Sequence, residues 1–484
     1  MKKKLALMLA LLLALGTLAG CAGGEKDDGE VKLIWYANVS KEPDSAEVFQ
    51  KVSDMAKEKI GVAVDIIPLE DYDGKMPVIQ ASGEDYDIVF TSSVVNNIYK
   101  NVADENLLAL DELLDTEAPA LKALFGDEIW DGVRINGKIY GVPNQQIFAR
   151  GPGYLIPTQN LKLLGIDLST NPYKELADYE SYFKAIKEKT GQYGYLAHTW
   201  SGDGAQAYGF EQVVGSGVPG AIRYKDEKLE VVNQYESQEY IDHMKLRYRW
   251  VQEGLTAPME VSLSDLGKYA APEDQVMPWL VYLNTCSPGA EGVYKRNYGT
   301  DFTFGTKTEA LLSSYGLVST MAAVNSDTRY PVESIKFIEL LNTDKDVYRT
   351  MTYGIEGKNY TKTGENSIQP SAEHPYSQNA WAIGNTFNGY VLPSQEADVF
   401  EQTKALNDSA MRSPILGFAA DQDPVKVQIA NCKAIAQEFV GLELGLMDPE
   451  VDYPKFIEKL KAAGVDELIA NLNEQLQTWL KANK

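Results

Sequence analysis

The stretch after residue 30 switches between two hydrophobic periods, and that switching restricts the fold more than any other feature. Val31 to Tyr36 is apolar enough for a buried strand. Asp44 and Glu47 have the spacing of a helix N-cap and its capping-box partner. Phe49, Val52, Met55 and Ala56 then share one helical face, up to Gly61. Val62, Val64 and Ile66 alternate as a second strand, a short helix is expected over Met76 to Ala81, and Tyr86 to Phe90 makes a third strand. Strand, helix, strand, helix, strand predicts the start of a parallel α/β lobe.

Beyond this the chain mixes both periods. Helices are expected over Tyr179 to Glu188, Gln238 to Glu253 and Pro331 to Leu341. The end reads as a helical pair, Tyr453 to Ala463 and then a helix from Asp466. Leu468, Leu472, Leu476 and Leu480 recur at intervals of four along the second helix, as a packing face does. No internal repeat is present.

The first twenty residues have a different origin. Lys2 to Lys4 precede an apolar run, Leu5 to Leu15, followed by Leu18-Ala19-Gly20-Cys21. A basic start, a short apolar core and small residues before a cut form a signal peptide, and the run is too short for a membrane span. Leu-Ala-Gly-Cys resembles the lipobox of bacterial lipoproteins, which implies cleavage before Cys21 and acylation of that residue. Residues 21–30, small and charged, read as a flexible tether. The body is then expected at the outer face of the bacterial cytoplasmic membrane, held by a lipid anchor only.

Composition narrows the function. The 484 residues carry 45 basic and 69 acidic side chains, a formal charge of −24. Removing residues 1–20 takes away three lysines and no acids, so the mature chain stands at −27. That balance excludes nucleic acid as a partner. Three cysteines and three histidines exclude a disulfide scaffold and a Cys/His zinc site. Cys286 and Cys432 are expected as two separate buried thiols.

Catalytic and cofactor motifs fail on context. Gly215-Ser-Gly-Val-Pro-Gly220 has dinucleotide-loop spacing, but Pro219 interrupts it and no helix opens there, so it reads as a turn. Ser181-Tyr-Phe-Lys184 and Lys362-Thr-Gly364 echo serine-acylating enzymes without the middle Ser-Asp-Asn element. Asp421-Gln-Asp423 lacks the Gly and Glu of a calcium loop. His198, His243 and His374 have no metal-binding spacing. No catalytic residue, cofactor or metal is expected.

Several segments carry a resemblance. Asn136-Gly-Lys-Ile-Tyr-Gly-Val-Pro143 resembles the segment before the first lobe crossing in extracellular solute-binding proteins of the maltose-binding type. Leu317 to Asn325 with Pro331 to Asp344 is similar to that family's return to the first lobe. Tyr353-Gly-Ile-Glu-Gly-Lys-Asn-Tyr360 resembles a signature of a lipoprotein subgroup with its own C-terminal domain of unknown function. Pro414 to Phe418, Pro424 to Lys426 and the last two helices are similar to that domain.

The resemblance implies a two-lobe periplasmic-binding-protein-like α/β fold (type II) with a multi-crossing hinge. The lobes are expected at 31–148 with a return at 315–380, and at 149–314 completed by 381–484. It also implies a monomer that delivers a small solute, an oligosaccharide above all, to the permease subunits of an ABC importer. A lipid-anchored glycan hydrolase and a ligand sensor without a transport role are the alternatives.

Ligands of open α/β sheets bind beyond the carboxyl ends of strands. Those ends place Trp35, Tyr36 and Asn38, then Thr91 and Ser92, at the expected cleft, with Gln145 and Gln146 at the crossing. Tyr (28) outnumbers Phe (14) and seven Trp are present. Trp250 and Trp479 sit on expected helices and Trp130 before a turn, and all three read as packing. Trp200, Trp279 and Trp381 sit in loops or at strand ends and, with Trp35, are expected as platforms for sugar rings.

Overall fold

The computed structural model describes residues 31–195, 205–259, 267–278, 280–283 and 285–483. The expected leader and tether, Cys21, His198, Trp200 and Trp279 lie outside them. No helix among the described residues is long and apolar enough to cross a membrane.

The first lobe begins with β1 (Lys32–Ala37), α1 (Ser45–Ile60), β2 (Ala63–Pro68), α2 (Tyr72–Ser82), β3 (Ile88–Thr91) and, after several short helices, β4 (Val142–Pro143). The second holds β5 (Gly153–Pro157), α3 (Glu180–Thr190), β6 (Phe210–Gln212), β7 (Ala221–Arg223), α4 (Gln238–Gln252), β8 (Val281–Leu283) and β9 (Phe302–Lys307). The chain returns through β10 (Leu311–Leu312) to β11 (Met321–Val324) and α5 (Pro331–Thr343). It crosses again through α6 (Val399–Ser409) and β12 (Met411–Arg412), and ends in α7 (Lys426–Glu438), α8 (Pro449–Ala462) and α9 (Val465–Asn483).

Two lobes of mixed α/β structure result. The first is built on a five-stranded sheet in the order β2-β1-β3-β11-β4. β1 pairs in parallel with β2 and β3, as the alternating periods predict. β11 enters antiparallel between β3 and β4, with Ala323 opposite Val89 and Met321 opposite Pro143. The return implied by the resemblance of Leu317 to Asn325 thus takes an inner, antiparallel place that no local period encodes. In the second lobe β5 lies between β8 and β9, antiparallel to both.

Helix α1 buries Val48, Phe49, Val52 and Ala56 against the sheet and ends at Gly61. The capping box expected at Asp44 is absent, since Asp44 makes no cap hydrogen bond. Its carboxylate instead accepts from Asn359 Nδ2 and pairs with Lys358 Nζ, each at 2.8 Å. The Tyr353–Tyr360 segment is therefore tied to the start of α1. Gly354 turns there at φ 84°, and a Cβ would come within 2.5 Å of Asn359 Oδ1. α2 starts four residues earlier than expected, after Asp71 in the left-handed region at φ 54°.

The Gly215–Gly220 run is the loop joining β6 to β7 in an antiparallel hairpin. Phe183 packs between the rings of Tyr195 and Trp250, and the Trp250 indole donates to Glu180 at 2.9 Å. Leu468, Leu472 and Leu476 are fully buried in a core shared by the C-terminal helices and the β6–β7 hairpin. Trp130 is buried and Trp479 packs on Phe418. Cys286 and Cys432 are both buried and both free.

Candidate functional site

Strand directions bring the carboxyl ends of β1, β3 and β4 and the amino end of β11 to one edge of the first sheet. The crossing segments leave from the same edge. Arg150 and Leu311 exchange backbone hydrogen bonds at 3.0 and 2.7 Å, and Ser413 N–H donates to Leu312 O at 2.8 Å. Gly316 lets two of these segments approach closely, as a Cβ there would lie 2.7 Å from Phe148 O.

The loop after β3 is built by its own side chains. Thr91 is fully buried and donates to Asn96 O. Ser92 Oγ accepts from Val94 N at 3.0 Å and Val95 N at 2.7 Å and donates to Val95 O at 3.0 Å. Asn96 takes φ 47°, and its amide donates to Phe90 O at 2.9 Å. The hydroxyls of Thr91 and Ser92 thus serve the loop, and the loop holds Val94 out at 61% exposure. Ser93 N–H donates to Val318 O at 2.9 Å, which ties the loop to the returning chain.

Trp381 stands beside this loop. It is 41% exposed, and its ring meets Phe90 edge-on with centroids 6.1 Å apart. Its carbonyl accepts from Asn144 Nδ2 at 3.3 Å and from Gln146 Nε2 at 3.4 Å. Gln146 is buried and also donates to Thr320 Oγ1. Gln145 is half-buried, and its carbonyl accepts from Thr386 N at 2.8 Å and Thr386 Oγ1 at 3.0 Å. Asn407 completes the arrangement. Its Oδ1 accepts from Phe148 N at 2.8 Å and Ala149 N at 3.1 Å, and its Nδ2 donates to Gln146 O at 2.7 Å. One amide on α6 therefore holds the first crossing segment in place.

One expected platform, Trp35, and one expected ligand-binding residue, Tyr36, stand elsewhere. Trp35 is 4% exposed and packs edge-on to Phe337 of α5, with centroids 5.6 Å apart. Tyr36 is also buried, with its ring edge-on to Tyr86. β1 is an inner strand whose faces are both covered, so aromatic residues near its end are core residues. The Tyr36 carbonyl still shapes the edge, since it accepts from the Tyr72 hydroxyl at 2.8 Å, and that hydroxyl accepts from Phe90 N at 2.8 Å. Asn38, half-buried, lies just past the strand.

The structure thus gathers Thr91, Ser92, Gln145, Gln146 and Trp381 at one edge, with Asn38 beside them, and keeps Trp35 and Tyr36 in the core. Phe90, Val94, Asn144, Thr320 and Asn407 join the site without having been anticipated. Val94 left a usable signal, an apolar residue following Thr-Ser-Ser at a strand end. Asn407 left none. Among the described residues no group of three or more His, Cys, Asp or Glu is placed to hold a metal ion.

Comparison with known proteins places this architecture. A domain of unknown function, DUF3502, matches residues 414–481. A carbohydrate ABC transporter substrate-binding protein of Streptococcus pneumoniae serotype 4, strain TIGR4, is 27% identical across 99% of this chain and 97% of its own length. The crystal structure of NgtS, an N-glycan transport solute-binding protein from S. pneumoniae, superimposes with a TM-score of 0.78 at 24% identity, covering 94% of this chain and 99% of that one. The same protein in complex with Man5GlcNAc gives a TM-score of 0.72 at 24% identity over the same shares.

Proposed function

We propose that the chain is an extracellular solute-binding protein that captures an oligosaccharide between its lobes and delivers it to an ABC importer; its similarity to a carbohydrate ABC transporter substrate-binding protein, its two-lobe fold and the DUF3502 match support this reading. The carrying observation is Trp381, an exposed indole at the carboxyl edge of the first sheet, seated on Phe90 and held through its backbone by two crossing-segment amides. An aromatic face stacks on the C–H face of a sugar ring while its surroundings stay wet. Amides such as Asn38 and Gln145 supply both donors and acceptors to sugar hydroxyls. Gln146, Thr91 and Ser92 act on this reading by shaping the wall. Trp200 and Trp279 are proposed as further platforms.

On this reading the hinge runs through the crossings near 143–151, 311–314 and 399–412, and closure brings the second lobe onto the ligand. The mature chain is anchored through acylated Cys21 at the outer membrane face and acts as a monomer beside the permease. NgtS is the transport protein crystallised with Man5GlcNAc, so mannose-containing glycans head the ligand panel.

The test is calorimetric titration of the chain lacking residues 1–20 against that panel. Saturable binding to at least one oligosaccharide, weakened by Trp381→Ala, is the expected result. Binding of peptides or other metabolites, with no response to any glycan, overturns the substrate class. Product appearing during incubation with a bound glycan would instead favour hydrolysis.

A further inference from the structure

Arg247 lies on α4 with its side chain wholly removed from solvent. Its guanidinium stacks 4.5 Å above the ring centroid of Tyr195. Nε, Nη1 and Nη2 are all buried, and none has a hydrogen-bond partner among the described residues. A guanidinium stays charged, offers five donors and accepts nothing, so the missing element is an acceptor. Buried charges are otherwise paired, because an isolated one is strongly disfavoured.

Among the described residues no carboxylate pairs with it; the charges of Glu443 and Glu175 act at the Tyr208 end, where both raise that hydroxyl. His243, four residues earlier on α4, is pushed down to about 3 by burial and by the Arg247 charge, so it is neutral. Its Nε2 faces Glu443 O at 3.1 Å and donates there, which leaves Nδ1 to accept from the Tyr208 hydroxyl. Tyr154 and Tyr208 both feel the Arg247 charge, yet burial holds both hydroxyls far above their ordinary range, so both stay protonated. Two further donors stand idle close by. Tyr195 and Thr256 bridge one another along the backbone, and the hydroxyls of both are buried without partners.

One part of the second lobe thus gathers a cation and spare hydroxyl donors with no acceptor for them among the described residues. We propose that it binds a small inorganic anion of halide size, with Arg247 as the charge partner and Tyr195 as a hydroxyl donor. Water would satisfy single donors but leave the charge uncompensated and add two protons of its own. The inference is independent of the solute captured between the lobes.

Bromide is the probe. Crystals of the mature chain soaked in sodium bromide are expected to show an anomalous peak within hydrogen-bond reach of Arg247. In solution, bromide is expected to raise the melting temperature saturably by a few degrees over sodium gluconate at equal ionic strength, and Arg247→Met is expected to abolish that rise. Ordered water alone, or a carboxylate of the chain (residues 196–204 included), against the guanidinium would overturn the proposal. So would a bromide-dependent rise that persists in Arg247→Met. If that variant fails to fold, the anomalous map of the unaltered chain decides.

Discussion

The Ser413 hydroxyl donates to the carboxyl group of Glu211 across 2.6 Å, joining the end of a crossing strand to the β6–β7 hairpin. Glu211 is 7% exposed, and burial pushes it up to about 7, partly offset by Ser413. Between pH 4.5 and 7 the native chain keeps a proton that the unfolded chain releases. Its contribution therefore lowers stability as pH rises through that window, and the loss persists above it. A shift of this size corresponds to about 3 kcal/mol. Glu211→Gln should match the unaltered chain near pH 4 and exceed it at pH 8, with the gap opening across the window. Thermal unfolding from pH 4 to 8 checks this, and two parallel curves would contradict it.

Trp381 contributes little to the core and much to the proposed wall. Trp381→Ala is expected to lower glycan affinity about tenfold to a hundredfold, or about 1.5–3 kcal/mol. The melting temperature should move by no more than about 2 °C, because the ring is already 41% exposed. Titration calorimetry paired with thermal unfolding separates the two effects.

Asn359 is 1% exposed and uses both ends of its amide. Oδ1 accepts from Ile355 N at 2.9 Å, and Nδ2 donates to Asp44 Oδ2 at 2.8 Å and His374 O at 3.2 Å. Asn359→Leu keeps the volume and strands these partners. A loss of about 2–3 kcal/mol is expected in denaturant unfolding, with ligand affinity per folded molecule unchanged.

Asn407 should behave differently. Asn407→Leu frees the amides of Phe148 and Ala149 from their shared acceptor. A loss of about 2 kcal/mol is expected, accompanied by faster hydrogen exchange at those two amides and by weaker ligand binding. Exchange rates equal to those of the unaltered chain would show that the crossing segment holds itself.

The first lobe was legible wherever neighbours in sequence are neighbours in space. β1, α1, β2 and β3 followed from period alone, and so did the leucine face of α9. Contacts spanning hundreds of residues were not legible. The resemblance of Leu317 to Asn325 implied a return to the first lobe, but no local period gives it an antiparallel place between β3 and β4, and nothing at Asp44 announces Asn359. The aromatic residues show the same limit. Trp35 and Trp381 sit in equally plausible local contexts, and only the layers covering β1 distinguish a core ring from an exposed one. Thr91 and Ser92 were placed at the proper edge, yet their hydroxyls answer the backbone of their own turn.

The position of β11 governs the order in which the molecule can be completed. Among the described residues β4 has no neighbour in the sheet except β11, so as the chain emerges from the ribosome or a translocation pore, Val142 and Pro143 wait for residues 321–324. Throughout that interval β3 presents an open edge, and the whole of β5 to β10 is made before the edge closes. Long waits with unpaired strand edges favour wrong association. For this chain, vectorial synthesis leaves a vulnerable half-built sheet that needs shielding until more than three hundred residues have appeared.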